Sequence, residues 1–364
     1  MRKLTAIASW VSLALTLALF AAVSLFPRGA LTLFTNEEDI ISQGVAYLDI
    51  MRFSYMVFGL TTVMLGALRI AESVGIALRV SVISLIVNIA INFLLIPGRF
   101  GLPELGVRGA AIGTLTARGV EFVIVARFLF KSDNGLNLQP SDLIRVDRRM
   151  LGDYARVSAP ILLAAAIWGV NNALQTVILG HMDKGAIAAQ SISSTLYLLL
   201  KVASVGAASA ASVLIGKAVG AGSLDKVWEY TRTLQLLFIA IGATLALLFT
   251  AIRFPLLGMY SIAPETRRMA DAFMNIQTLT LFTMSYQMCV NTGIIRGGGD
   301  TAFILWVDAV SIVGIVLPLS LLAAFAWRLS PVAVMFILNS DQIFKCLPAC
   351  LRVNRYRWVK RLTR

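Results

Sequence analysis

Residues 294–322 read IIRGGGDTAFILWVDAVSIVGIVLPLSLL, in which a glycine-rich turn is followed by a long apolar run. A helix needs roughly 20 apolar residues to cross the hydrocarbon core of a bilayer. The run from 302 to 325 is long enough, so the sequence predicts a membrane span here. Three successive glycines, Gly297, Gly298 and Gly299, supply the backbone freedom that a tight loop between two spans requires.

The rest of the chain has the same apolar character. Of its 364 residues, 58% are hydrophobic and only 14% are charged, and the mean hydropathy is +0.81. Soluble domains are about one-quarter charged, and disordered chains combine low hydrophobicity with high charge, so both classes are excluded. The 32 Lys and Arg against 19 Asp and Glu give a net charge of +13. We interpret this excess as the bias of cytoplasmic loops rather than as a nucleic-acid surface.

Ten stretches are apolar and long enough to cross a membrane, which predicts an all-α integral membrane protein. Most Lys and Arg fall in loops on the side of the N-terminus. The positive-inside rule then places both termini in the cytoplasm of a multi-pass protein of the cell inner (plasma) membrane. The predicted spans are 5–26, 48–68, 80–97, 107–130, 157–179, 187–215, 231–252, 270–292, 302–325 and 332–350.

An internal repeat predicts two helical bundles. VAYLDI at residues 45–50 matches DAFMNI at 271–276, and the order of spans and loops around them is also repeated. Repeated halves are common in transporters. The first half has no counterpart to the two spans that open the second, so we expect four helices plus six. A wrong start site, a truncated gene and a reduced functional form are all compatible with this. The predicted parts are an N-terminal lobe at 1–130, a cytoplasmic linker at 131–156, a C-terminal lobe at 157–350 and a basic cytoplasmic tail at 351–364.

The sequence lacks signatures of catalysis and metal binding. His181 is the single histidine, and the three cysteines form no C-x-x-C pair. There is no H-E-x-x-H, G-x-S-x-G or phosphate-binding P-loop pattern. We therefore expect neither an enzyme nor a cofactor or metal site, and no direct use of ATP by this chain.

Two ionisable residues inside predicted spans, Asp308 and Lys201, are the candidates for cation or proton coupling. A charge at the bilayer centre costs about 3 kcal/mol or more, so such a residue is a functional candidate. Asp308 is either a cation or proton coupling site facing a cleft or an interface residue paired, for example, with a lysine. Lys201 either faces the cleft or is the partner of Asp308. Asp341 and Lys345 are four residues apart on the last span and are expected to form an intrahelical ion pair.

Neutral polar side chains inside the spans form a second group of candidates. A cleft that binds organic compounds needs a few polar groups among apolar and aromatic walls. The alternative is that these groups join helices to each other through hydrogen bonds. The candidates for the substrate cleft are Asn88, Asn92, Asn171, Gln175, Gln190, Tyr197, Gln287 and Asn291.

Four segments in this order resemble the multidrug and toxic compound extrusion (MATE) family. VNIAINFLLIPG and ELGVRGAAIGTLTARGVEF, within residues 87–122, resemble its fifth and sixth helices. VILGHMDKGAIAAQSISSTLYLL (177–199) resembles a span that ends in a glycine turn before an alanine-rich span. VLIGKAVGAGSLDKV (213–227) resembles its G-x-x-x-G-A-G loop, and 294–322 resembles its loop of arginine, glycine, aspartate and threonine.

The resemblance implies a transporter with two six-helix lobes around a central cleft. Members export organic, often cationic, compounds in exchange for sodium or protons, so the implied partners are a small molecule and the lipid bilayer, with the oligomeric state open. The span after the linker often reads P-x-x-x-N-E-x-x-W in the family. Here Ala164 and Ala165 stand between Pro160 and Trp168, at the places of Asn and Glu. The family's first helix often carries an acidic coupling residue, and that helix has no counterpart here.

Two alternative functions remain open. A flippase for lipid-linked saccharides would need a cationic cleft, and the deep basic residues of the first lobe are limited to Arg52 and Arg118. A truncated chain could also be a remnant without transport activity. Sequence reasoning favours the exporter over both.

Overall fold

The computed structural model describes residues 2–32, 38–70, 74–130 and 148–360. Within these ranges the chain is almost entirely helical and contains no β-strand. The helices are α1 (Arg2–Leu25), α2 (Pro27–Thr32), α3 (Glu38–Ile70), α4 (Val74–Leu95), α5 (Gly106–Leu129), α6 (Arg148–Met182), α7 (Lys184–Gly220), α8 (Leu224–Gly258), α9 (Pro264–Met288), α10 (Thr301–Ala326) and α11 (Pro331–Asn354).

Nine helices among the described residues are long and apolar enough to cross a membrane, and nine predicted spans fall on them. The tenth, 270–292, is also helical because α9 covers most of it, but α9 is too polar to be counted by composition. Several of its polar residues are buried, including Gln277, Thr280 and Ser285. The reason is its position, since α9 packs against α7, α8 and α11.

The chain divides into two compact units, Met1–Ala155 and Arg156–Arg364. In unit 1, α3 packs against α1 and α5, and α4 packs against α5. The predicted linker at 131–156 is partly helical, because its residues from 148 onward form the first turns of α6. Its residues 131–147 lie outside the described ranges.

Unit 2 is built around α9, and two of its helices contain wide turns. The chain continues from α9 as a π-helix at Cys289–Ile295, where the Arg296 N–H donates to the carbonyl of Asn291, five residues back. Within α10 the same geometry occurs at Ala309–Val316 and Leu322–Ala326. Such turns often occur at functional sites because they change which side chains face inward.

The end of the predicted basic tail is folded against the glycine loop between α9 and α10. The Lys360 N–H donates to the carbonyl of Gly298 at 2.8 Å, and the Trp358 indole donates to the carbonyl of Val353 at 2.8 Å. Trp358 is fully buried and packs on Gly298, where a side chain would collide with the indole. We call residues 355–360 the C-terminal strap. Residues 361–364 lie outside the described ranges.

Candidate functional site

Unit 2 contains a cavity of about 410 Å³ between α6, α7, α9, α10 and α11. Apolar and aromatic side chains form much of its wall, including Ile161, Trp168 and Met284. Eight of the ten residues that the sequence singled out line this cavity. They are Asn171, Gln175, Gln190, Tyr197, Lys201, Gln287, Asn291 and Asp308.

The other two candidates, Asn88 and Asn92, lie on α4 in unit 1. The Asn92 amide donates to Asn88 Oδ1 at 3.1 Å, and the Asn88 amide reaches Thr114 Oγ1 on α5 at 3.5 Å. A side chain at Gly113 would collide with Asn92, so α4 and α5 approach closely at this point. The two asparagines therefore contact α5 and take no part in lining the cavity of unit 2.

An ionic cluster lies at one side of the cavity. Lys345 Nζ on α11 is 2.7 Å from Asp308 Oδ1 and 2.9 Å from Asp341 Oδ2. The side chains of Lys345 and Asp341 are 3% and 1% exposed, whereas that of Asp308 is 20% exposed. The expected intrahelical pair of Asp341 and Lys345 is confirmed. With both carboxylates ionised, the cluster carries one net negative charge, and Asp308 is its most accessible acid.

Sequence reasoning left Lys201 open as a partner of Asp308, and the structure gives Asp308 a different partner, Lys345. Lys201 Nζ instead lies 4.2 Å from the centre of the Trp168 ring, in a cation–π contact. Within the described part of the chain Lys201 forms no ion pair and no hydrogen bond. It lies near the middle of α7, far from either end of the helix.

A chain of amides connects the cavity wall to the ionic cluster. Asn291 donates to Gln287 at 3.1 Å, Gln287 donates to Gln342 at 2.8 Å, and Gln342 donates to Asp341 at 2.7 Å. Sequence reasoning missed Gln342, although its place next to Asp341 on an apolar span was a usable signal. This series of hydrogen bonds orients the carboxylate of Asp341, which lies behind the cavity wall.

Several buried oxygens at the cavity have no hydrogen-bond partner among the described residues. Because an unpaired buried acceptor is costly, these atoms mark places where water or a bound compound can be accommodated. They are Asn171 Oδ1, Gln277 Oε1, Asn291 Oδ1 and, just behind the wall, Asp341 Oδ1.

The cavity wall formed by α6 carries no acidic residue. Ala164 and Ala165 line the cavity at the positions where the resemblance leads one to expect Asn and Glu. The acids near the cavity come from α10 and α11 instead. No group of three or more His, Cys, Asp or Glu side chains in the described ranges could hold a metal ion.

Comparisons with known proteins agree on one family. The MatE family model matches residues 1–94 and 160–322. A probable multidrug resistance protein NorM of Thermotoga maritima is 24% identical over 332 residues, which cover 91% of this chain and 71% of that protein. The multidrug resistance protein MdtK of Photorhabdus laumondii is 24% identical over 236 residues, which cover 64% of this chain and 51% of that protein.

A solved structure has the same fold. A mutant of the MATE transporter VcmN of Vibrio cholerae superposes with a TM-score of 0.81 at 17% identity, over 99% of this chain and 80% of that chain. The chain thus matches from 51% to 71% of the length of the two resistance proteins.

Proposed function

Because the chain belongs to the MatE family of membrane transporters, we propose that it is a secondary active exporter of small amphipathic organic compounds. The chain is a multi-pass membrane protein and not an enzyme. Its site is the cavity of unit 2, where apolar walls surround a few amide groups, as is typical of binding sites for organic compounds. We place the protein in the plasma membrane with both termini in the cytoplasm, as the distribution of loop charges predicts.

The observation that carries the proposal is the ionic cluster at the cavity wall. Asp308 is the accessible acid of a buried group with a net charge of −1. A proton on Asp308 would neutralise that charge and leave Lys345 paired with Asp341 alone. The bond between α10 and α11 would weaken as a result. Protonation would therefore change both the charge of the cavity and the contact between two helices that form it, which is what ion-coupled alternating access requires.

We favour the proton over sodium as the coupling ion. The Lys345 ammonium already occupies the place between two carboxylates at which a metal ion would bind. The event that remains available to Asp308 is the gain or loss of a proton. The flippase alternative is not favoured, because the relatives that match the chain are multidrug resistance proteins.

The test is transport by the purified full chain in proteoliposomes. A fluorescent aromatic dye is placed outside, and a proton gradient, a sodium gradient or no gradient is imposed. We expect dye movement that depends on the proton gradient, is abolished by a protonophore and is indifferent to sodium. Movement driven by sodium alone would exclude the proton as coupling ion. No movement under any gradient would exclude the exporter and leave the inactive remnant.

A further inference from the structure

The cavity of unit 2 has more basic than acidic residues in its wall. Lys201, Arg296 and Lys345 line it, against the single acid Asp308. When the buried Asp341 is included, the group still carries an excess of one positive charge. The expectation of a cationic substrate came from the family resemblance, and the charges of this cavity favour the opposite sign.

Both acids form an ion pair, whereas two of the cations form none among the described residues. Asp308 and Asp341 both bind Lys345, at 2.7 and 2.9 Å. Lys201 and Arg296 form no ion pair with any residue in the described ranges. The charge of the buried Asp341 also acts on Lys201, but the two side chains form no ion pair. A compound entering the cavity therefore meets an acid that is paired with a lysine and two cations that form no ion pair.

Lys201 is the better placed of the two cations. Its ammonium has three donors, and it lies 4.2 Å from the centre of the Trp168 ring with no hydrogen bond to a described residue. An aromatic face accepts no ordinary hydrogen bond, and Lys201 lines the cavity, so its donors are available to a bound compound. Lys201 also lies near the middle of α7, a helix of 37 residues.

We propose that the cavity binds an aromatic organic anion, whose carboxylate or similar group pairs with Lys201 while its apolar body lies beside Trp168 and Tyr197. The amides of Asn171 and Gln190 supply further hydrogen bonds to polar substituents. This inference rests on the proposed exporter function for its biological meaning, since it names the class of compound that the site would carry. The binding step itself needs no ion gradient.

The experiment uses two probes of the same size and opposite charge, 2-naphthoate and 2-naphthylmethylammonium. Calorimetry measures their binding to the purified full chain in detergent. The variants are Lys201→Gln, which removes the charge, and Lys201→Arg, which keeps it. Lys226→Gln is the matched control, because Lys226 is an exposed lysine outside the cavity. Thermal unfolding of each variant checks that the fold is retained.

We expect the wild-type chain to bind naphthoate, and Lys201→Gln to weaken that binding by about tenfold or more. Lys201→Arg and Lys226→Gln should bind naphthoate as the wild type does, and no variant should weaken binding of the ammonium probe. The proposal is overturned if the wild type fails to bind naphthoate or if Lys201→Gln leaves its binding unchanged. Equal losses for both probes would overturn it as well. Because this readout is equilibrium binding, a failure of gradient-driven transport would count against the exporter alone.

Discussion

Asp308 on α10 and Lys345 on α11 form an ion pair of 2.7 Å that joins two walls of the cavity. The pair is not isolated, since Lys345 also holds Asp341 one turn away on its own helix at 2.9 Å. Removing charges from water is costly, and a buried ion pair is compensated only when its geometry is good and its remaining groups are bonded. Here Gln342 donates a hydrogen bond to Asp341, so one of the remaining groups of the buried ion pair is hydrogen-bonded.

Replacing Lys345 by Met should destabilise the protein strongly. The change leaves two buried carboxylates without their common cation, and loss of one partner of a buried ion pair costs about 3–5 kcal/mol. Thermal unfolding in detergent measures the effect. The exposed Lys226 provides the matched control, since Lys226→Met removes the same charge where water solvates it and should change the unfolding temperature little.

A triple variant distinguishes the effect of unpaired charges in this cluster from the effect of lost side-chain packing. Adding Asp308→Asn and Asp341→Asn to Lys345→Met removes the unpaired charges and should recover a large part of the lost stability. If the triple variant is as unstable as Lys345→Met alone, lost packing and not unpaired charge is responsible, and the electrostatic explanation is wrong.

Asp308→Asn should abolish gradient-driven transport while leaving the fold intact. The amide is similar in size, and its oxygen can still accept a hydrogen bond from Lys345, which keeps Asp341 as its charged partner. The variant cannot take up or release a proton at this position. The measurement is dye movement in proteoliposomes under a proton gradient, compared with Asp225→Asn, whose aspartate is exposed at the start of α8. Transport at the wild-type rate in Asp308→Asn would remove this residue from the coupling mechanism.

Nine of the ten predicted spans fall on helices that are apolar enough to cross a membrane, because this property depends on local sequence, whereas α9 is more polar. The candidates for the cavity wall were found by a similarly local rule, namely that polar side chains inside apolar spans need a reason to be there. Asn171, Gln175 and Gln190 all satisfy that rule and line the cavity. The rule does not distinguish a cavity from a helix contact, and it also selected Asn88 and Asn92, which contact each other and α5 in unit 1.

The contacts within the site could not be predicted, because they depend on how distant helices are placed. Asp308 and Lys345 are far apart in sequence, and the π-helical turn at Ala309–Val316 begins directly after Asp308 and changes the register of the following residues. The position of the C-terminal strap could not be predicted for the same reason. Its sequence, RYRWVK, reads as an exposed basic tail, yet Trp358 is fully buried because Gly298 leaves room for the indole.

Gly298→Ala should loosen the C-terminal strap. A Cβ at this position would collide with the Trp358 ring and approach the Trp358 carbonyl oxygen to 3.3 Å, which is tight against backbone. Overpacking of this kind costs about 1–3 kcal/mol. Trypsin cleaves after Arg355, Arg357 and Lys360, so the cleavage rate of the native protein reports opening of the strap and should rise about tenfold for each 1.4 kcal/mol.

Gly206→Ala is the control for that experiment. Gly206 lies inside α7, and a Cβ there would meet no atom within 4 Å. Alanine is favoured over glycine in a helix by about 0.5–1 kcal/mol, so this variant should be as stable as the wild type or more so. A strap that is cleaved at the wild-type rate in Gly298→Ala would show that the indole can move aside without cost.

Asp300 should make the attachment of the strap sensitive to acid. Its carboxylate, 2% exposed, accepts hydrogen bonds from Lys360 Nζ at 2.6 Å and from Arg352 Nε at 3.0 Å. Burial alone would raise the pKa of Asp300, but the hydrogen bonds and charges of Lys360 and Arg352 outweigh it and lower the pKa below the ordinary 3.8. A carboxyl group whose pKa is lower in the folded state stabilises the fold above its ordinary pKa. That stabilisation is lost as the pH falls through the lower, folded-state value.

The matched variant for this effect is Asp300→Asn, which is similar in size and cannot ionise. At neutral pH its strap should be cleaved by trypsin faster than that of the wild type, because hydrogen bonds to charged groups contribute about 1.5–3 kcal/mol. Pepsin extends the comparison below about pH 4, where free aspartate becomes protonated. As the wild-type carboxylate gains its proton, the ratio of the two cleavage rates should fall toward one. A ratio that stays constant from neutral to acidic pH would mean that the ionised carboxylate of Asp300 does not hold the strap.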